Sequence, residues 1–211
     1  MRSPLISSLS LCLLLRSNSL WVPALAASIA IASKFMLRYR GKHVINPTNL
    51  ALVAMLLFCA GDAWVSPAQW GSKTYFAFLL ACAGGMVIYR AGRSDVTLAF
   101  LLAYAGIVFG RAVWLGDPLA IPLRQLQGGT LRIFRFFMIS DPKTTHDSLA
   151  CRLLFAMLVA LGAGFVQFVL NRTNGPLWSL AVCSLLVPLI DHVLPGPRYQ
   201  WQSLQRSIVN A

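Results

Sequence analysis

Glutamate is absent from this chain, and all six of its acidic residues are aspartate. Charged residues of both signs make up only 11% of the 211 positions, against about 25% in a soluble domain. What is missing is the charged surface that keeps a globular protein in water. Cysteine pairing is also missing. Cys12, Cys59, Cys82, Cys151 and Cys183 form no CxxC pair, and each lies in or beside an apolar run. They read as small buried hydrophobes, not as a disulfide framework, a zinc site or an iron–sulfur cluster. No linker, low-complexity tract or hydrophilic block interrupts residues 1–211, so the chain reads as a single integral membrane domain.

What is present is apolar. Hydrophobic residues make up 57% of the chain, in blocks of membrane-spanning length instead of amphipathic stripes. Spans are expected near residues 4–16, 18–37, 49–67, 73–90, 95–114, 126–140, 148–170 and 176–194. The lipid interior offers no water to free backbone groups, so these should be helices. The expected fold is all-α, a polytopic transmembrane bundle of about six to eight spans. The first and sixth are short and could be tilted, half-inserted or re-entrant. For residues 1–16 two readings stand, a short first span or a signal-like leader ahead of "ALAAS".

The net charge of +12 would suggest nucleic acid in a soluble protein. Here the basic residues flank apolar segments, and no separate basic domain exists, so no nucleic-acid partner is expected. Arg38, Arg40 and Lys42, then Arg90 and Arg93, then Lys143, then Arg198 and Arg206 follow alternate spans. Those ends should be cytoplasmic, including the tail from 195 to 211, with the protein in the cell (inner) membrane.

Three segments could carry chemistry. In "SKFMLRYRGKHVINPTN", residues 33–49, a basic cluster leads into Asn46-Pro47-Thr48-Asn49. Asn at the N-cap and Pro at the first helical position mark a helix start. Asn46 and Asn49, three apart, share one face of the new turn, where two amides could hydrogen-bond a planar heterocycle such as an isoalloxazine ring. In "RFFMISDPKTTHDS", residues 135–148, Asp141-Pro142 ends a span, and Asp147 or Ser148 can cap the next. Lys143, Thr144 and Thr145 make this either a capped cytoplasmic turn or a phosphate- or flavin-contacting loop facing the NPTN turn. "GDPLAIPLRQLQGGT", residues 116–130, cannot be one regular helix. It reads equally as a surface loop or a re-entrant lining segment. Asp62, Arg111, Arg132, Arg135, Asp191 and His192 are costly in lipid and should face the interior, an interface or water.

"SKFMLRYRGKHVINPTNLA" together with "FFMISDPKTT" resembles the RnfD and NqrB membrane subunits of ion-pumping electron-transport complexes. Within that superfamily the chain looks closest to UnbU-type proteins encoded with enediyne biosynthesis genes. The resemblance covers most of residues 30–195. It implies a helical bundle of two related halves, similar to urea-transporter folds, and flavin-based electron transfer coupled to Na⁺ or H⁺ movement. It implies a non-covalent flavin, riboflavin or FMN, near Asn46 and Asn49, with Lys42 and Lys143 as nearby charges and Asp141, Pro142, Lys143 and Thr144 as a structural or flavin-proximal turn. Partner membrane subunits follow from the same resemblance. One departure matters. The family esterifies FMN to a Thr, often ahead of Pro-Leu, and the matching position here is Ile121, ahead of Pro122-Leu123. A side chain without a hydroxyl cannot form that ester, so covalent FMN is not expected. No catalytic constellation or metal site is visible. The expected function is membrane electron transfer or transport. The alternative is a non-redox transporter, channel or accessory protein that exports or sequesters an enediyne-type product.

Overall fold

The computed structural model describes residue 8 and residues 10–39, 42–66, 82, 85–86, 94–141, 144 and 148–193. The expected fourth span at 73–90, the first seven residues, Arg40, Pro142, Lys143, Asp147 and the tail from 195 lie outside the described residues or almost wholly so. The described chain is mostly helical, with seven α-helices. These are α1 (Trp21–Met36), α2 (Pro47–Phe58), α3 (Ser94–Leu115), α4 (Ala120–Leu126), α5 (Gly129–Ile133), α6 (Leu149–Phe168) and α7 (Gly175–Val193). A π-helical turn, Phe134–Met138, follows α5 directly. The expected all-α fold is amended by two small antiparallel ladders.

Those ladders close the first unit at both ends. β2 (Arg38–Tyr39) pairs with β3 (Lys42–His43) in the connection from α1 to α2. β1 (Leu15–Ser17), just before α1, pairs with β4 (Ala63–Val65), just after α2, with Arg16 opposite Trp64. The start of α1 therefore lies beside the end of α2, and the two helices form an antiparallel hairpin. This corrects the helix expected over 49–67. It stops at Phe58, because a turn at Cys59–Asp62 feeds a strand that needs residues 63–65 for its ladder.

The second unit is built on α6. Asp95 meets Arg152 near the starts of α3 and α6, and Arg111 meets Phe168 near their ends, so these neighbours run parallel. α7 returns antiparallel, with the Ser179 hydroxyl donating to the Val159 carbonyl (2.8 Å). Asn171 and Asn174 take left-handed backbone in the turn between them, a conformation Asn tolerates. α7 also packs on α2, which joins the two units. Where a re-entrant segment or a loop was expected, α4, α5 and the π-turn run back along α3. Gln125 meets Gln167, and Phe134 tilts against Phe100 at 5.1 Å. The π-turn is marked by Ile139 N–H donating to Phe134 C=O five residues back (3.0 Å).

By length and composition, α3 and α6 can each cross a membrane, while α1, α2 and the stretch Gly175–Pro188 are shorter apolar helices. Only a third to two fifths of the apolar windows of α3 and α6 are buried. Leu98, Leu102, Val113 and Trp114 on α3, and Leu153, Leu154, Met157, Leu161 and Phe165 on α6, are exposed. Apolar surface on this scale suits lipid rather than water.

Candidate functional site at the NPTN and DP segments

Asn46 has extended backbone (φ −61°, ψ 122°), and its side-chain oxygen accepts from Thr48 N–H (3.1 Å) and Asn49 N–H (3.2 Å). Pro47 carries no N–H, and Leu50 N–H donates to the Asn46 carbonyl (2.9 Å). Every N–H in the first turn of α2 is therefore absent or already bonded. The sequence signal for a helix start is realised in full, and this terminus keeps no spare donor for an anion.

The amide nitrogen of Asn46 does something the sequence does not require. It donates to Asp141 Oδ2 at 3.5 Å, across 95 residues. The two motif segments are thus neighbours, held by a long and weak contact. Asp141 is half-buried. Its carbonyl accepts from Thr144 N–H (3.1 Å) and the Thr144 hydroxyl (3.2 Å), which makes a local turn with Thr144 buried. Ser148 then caps α6 by accepting from Cys151 N–H (3.2 Å). Of the two caps expected there, Ser148 is the one used.

Asn49 faces the other way. It is 0% exposed, and its Nδ2 donates to the Leu177 carbonyl (3.2 Å) on α7. Its Oδ1 has no hydrogen-bond partner among the described residues. A buried acceptor without a donor costs about 1–3 kcal/mol. The depth of this group follows from its neighbours. Ser179, half a turn along from Leu177, is bonded to Val159 in the middle of α6. At 1.5 Å per residue, Leu177, whose carbonyl Asn49 holds, lies ~3 Å along α7 from the level of Val159. The N-terminal turn of α2 sits inside the bundle, which is where a short helix of 12 residues can end.

The remaining expected residues divide. Lys42 occupies β3 opposite Tyr39 in the hairpin ahead of the site, and Lys143 lies outside the described residues. Asn46, Asp141 and Thr144 are brought together, and Asn49 is one turn further in. Sequence reasoning passed over the Asp95–Arg152 pair, whose Nε–Oδ2 distance is 2.6 Å at side-chain exposures of 15% and 20%. A carboxylate and a guanidinium near the first turns of two span-length helices were the available signal. Lys34 and His43, both buried with partners, come from the basic cluster that precedes the motif. Ile121 is exposed near the start of α4. The hydroxyl of Thr130 is already committed to the Ser66 carbonyl (2.7 Å).

No family model matches the chain. It is similar to proteins named as the D component of the ion-translocating oxidoreductase complex. With that of Cronobacter sakazakii it shares 28% identity over 159 residues, 72% of this chain and 42% of the relative. With that of Yersinia enterocolitica the identity is 27% over 137 residues, 63% and 36% of the two chains. With that of Psychromonas ingrahamii it is 27% over 112 residues, 52% and 32%. The chain thus spans between about a third and two fifths of the length of the curated relatives it matches.

Proposed function

We propose that this chain works as a membrane subunit of an ion-translocating oxidoreductase assembly in the cell (inner) membrane, beside other membrane subunits. The observation that carries this reading is the similarity to the D component of such a complex over 159 residues. The meeting of Asn46 with Asp141 supports it, since the two segments that resemble the RnfD and NqrB subunits converge at one place.

A flavin held without a covalent bond at this junction is the cofactor part of the proposal. Lys42, Asn46, Asn49, Asp141, Lys143 and Thr144 are its proposed contacts, with Asn49 reaching it from the α7 side. The supporting observation is Asn49 Oδ1, a buried acceptor that a ring N–H would satisfy. The α2 terminus is not a phosphate cradle, because its N–H groups are bonded within the turn. A phosphate would fall to the lysines. Covalent attachment is not expected at the position matching the family's acceptor, since Ile121 lacks a hydroxyl, and the nearby Thr130 hydroxyl is bonded to the Ser66 carbonyl.

The test is flavin content. Protein purified in mild detergent should show a visible flavin spectrum that is lost on denaturation, with no fluorescence left on the denatured band. Asn49→Leu should lower the bound flavin several-fold in folded protein. A folded sample free of flavin would refute the cofactor part. It would favour a second reading, to which Ile121 already points, of a non-redox transporter or accessory protein. Enediyne-type products are the cargo suggested by the UnbU-like resemblance. Co-purification with other oxidoreductase subunits checks the assembly. A chain that remains alone under native extraction would count against it.

A further inference from the structure

We infer that the end of α3 binds the headgroup of a zwitterionic phospholipid of the ethanolamine class, with the phosphate on Arg111 and the ammonium on Asp117. The inference rests on the membrane placement proposed above. It concerns a different region from the NPTN and DP junction.

The local fold presents both charges. Gly116 has φ +72°, and Asp117 N–H donates to the Ala112 carbonyl (2.9 Å) while Gly116 N–H reaches Val113 (3.4 Å). This is a Schellman ending, which only a residue at ease with positive φ can supply. It folds Asp117 back onto the last turns of α3, where Arg111 lies. The two side chains sit 3.8 Å apart, at exposures of 43% and 39%. The Arg111 guanidinium lies 4.4 Å from the centre of the Phe168 ring, which supports it from one side. Its N–H donors number five, and the stretched contact to Asp117 uses little of that capacity. An exposed pair at this distance is weakly coupled, so a third group can enter at low cost.

The surroundings identify the ligand's chemistry. Trp114, Leu115, Leu119, Ile121 and Leu123 are exposed around the pair, and Trp114 is 88% accessible. An exposed indole beside a charge at the end of a span-length helix belongs at headgroup depth. The cleft beneath, lined in part by Val108, Pro122 and Gln125, is only about 10 Å³. That is room for about one water, so a group held by the pair lies across the charges and not within the cleft. The pair is neutral overall. An anionic headgroup alone would face the Asp117 carboxylate, and a simple cation would face Arg111. A phosphate joined to a primary ammonium satisfies both. A choline headgroup has no N–H to give to Asp117, so ethanolamine is the better fit.

Native mass spectrometry of the full chain in mild detergent tests this, with equimolar ethanolamine, choline and glycerol phospholipids of matched acyl chains. The ethanolamine lipid should be retained about tenfold over the choline lipid, the value of one charge-assisted hydrogen bond. Arg111→Gln should remove that preference. Asp117→Asn should lower ethanolamine retention and raise glycerol-lipid retention. Glycerophosphoethanolamine without acyl chains should not compete at the same concentration. Equal retention of ethanolamine and choline lipids would overturn the inference, as would wild-type selectivity in folded Asp117→Asn. Effective competition by the soluble headgroup would overturn the lipid assignment. If Arg111→Gln fails to fold, wild-type selectivity and Asp117→Asn decide. A chain absent from the membrane fraction would sink the proposed function itself, whereas a membrane-embedded chain without lipid selectivity would sink only this inference.

Discussion

Replacing Asn46 separates the parts of the site by their energies. Its side-chain oxygen serves two N–H groups of α2, and its nitrogen reaches Asp141 at 3.5 Å. Losing an N-cap costs about 1 kcal/mol, up to about 2. Here the cap is buried, so the freed Thr48 and Asn49 N–H groups find little water, and the upper end applies. The contact to Asp141 is long and adds only a few tenths. Asn46→Ala should therefore cost about 2 kcal/mol, and thermal midpoints in detergent should fall by about 4–8 °C for a chain of this size. Asn46→Ser keeps an oxygen at the cap and loses only the Asp141 contact, so it should fall by about 2 °C or less. Asn46→Asp keeps the cap but places a second carboxylate beside Asp141, and should lie between the two. The assay is a thermal unfolding series on the three variants, with helical content checked first. A Ser variant as unstable as the Ala variant would refute the capping account and make Asp141 the main partner. An Ala variant equal to wild type would remove both.

Packing at the glycines gives a graded series. Gly175→Ala should be the most destabilising, by about 2–3 kcal/mol, because its new methyl would meet the backbone carbonyl of Ala163. Gly162→Ala should cost about 1–2 kcal/mol, since it meets the Ser179 hydroxyl and displaces the bond to Val159. Gly106→Ala has nothing within 4 Å and should be neutral or stabilising by up to about 1 kcal/mol. Equal midpoints across all three would contradict the α6–α7 contact. For the ion pair, Asp95→Asn and Arg152→Gln should each cost about 3 kcal/mol by stranding a largely buried charge. The double variant should recover at least about 1 kcal/mol of the summed loss, and strict additivity in a thermodynamic cycle would refute the pairing.

The ends of α2, α6 and α3 show how local signals behave. Asn46-Pro47 marks the first, Ser148 the second and Gly116 the third, and each works through atoms within a few residues of itself. The lengths of α3 and α6 were legible for the same reason, because an uninterrupted apolar stretch has few other ways to satisfy its backbone in lipid. The stop at Phe58 was not legible. Its cause is the pairing of Ala63–Val65 with Leu15–Ser17, far away in the chain. Nor was the break of the expected span 126–140 into α5 and a π-turn, where Arg135 C=O accepts from the Thr97 hydroxyl (3.3 Å) of another helix.

Composition and short spacing were enough to point to the solvent of this protein and to mark Asn46 as a helix cap, while leaving Asp147 and Ser148 both open ahead of α6. Few charges and long apolar blocks point to lipid, and a capping side chain lies within three residues of the N–H it serves. The same linear information put amides and a carboxylate in two separate segments. Folding in three dimensions was needed to make Asn46 and Asp141 touch and to seal Asn49 against α7. Those facts depend on which helices pack side by side and at what depth. Such choices are made by van der Waals fit at Gly162, Gly164 and Gly175 and by hydrogen bonds between distant segments. A linear pattern of apolar residues says that a helix is buried in lipid or protein, but not which neighbour it meets.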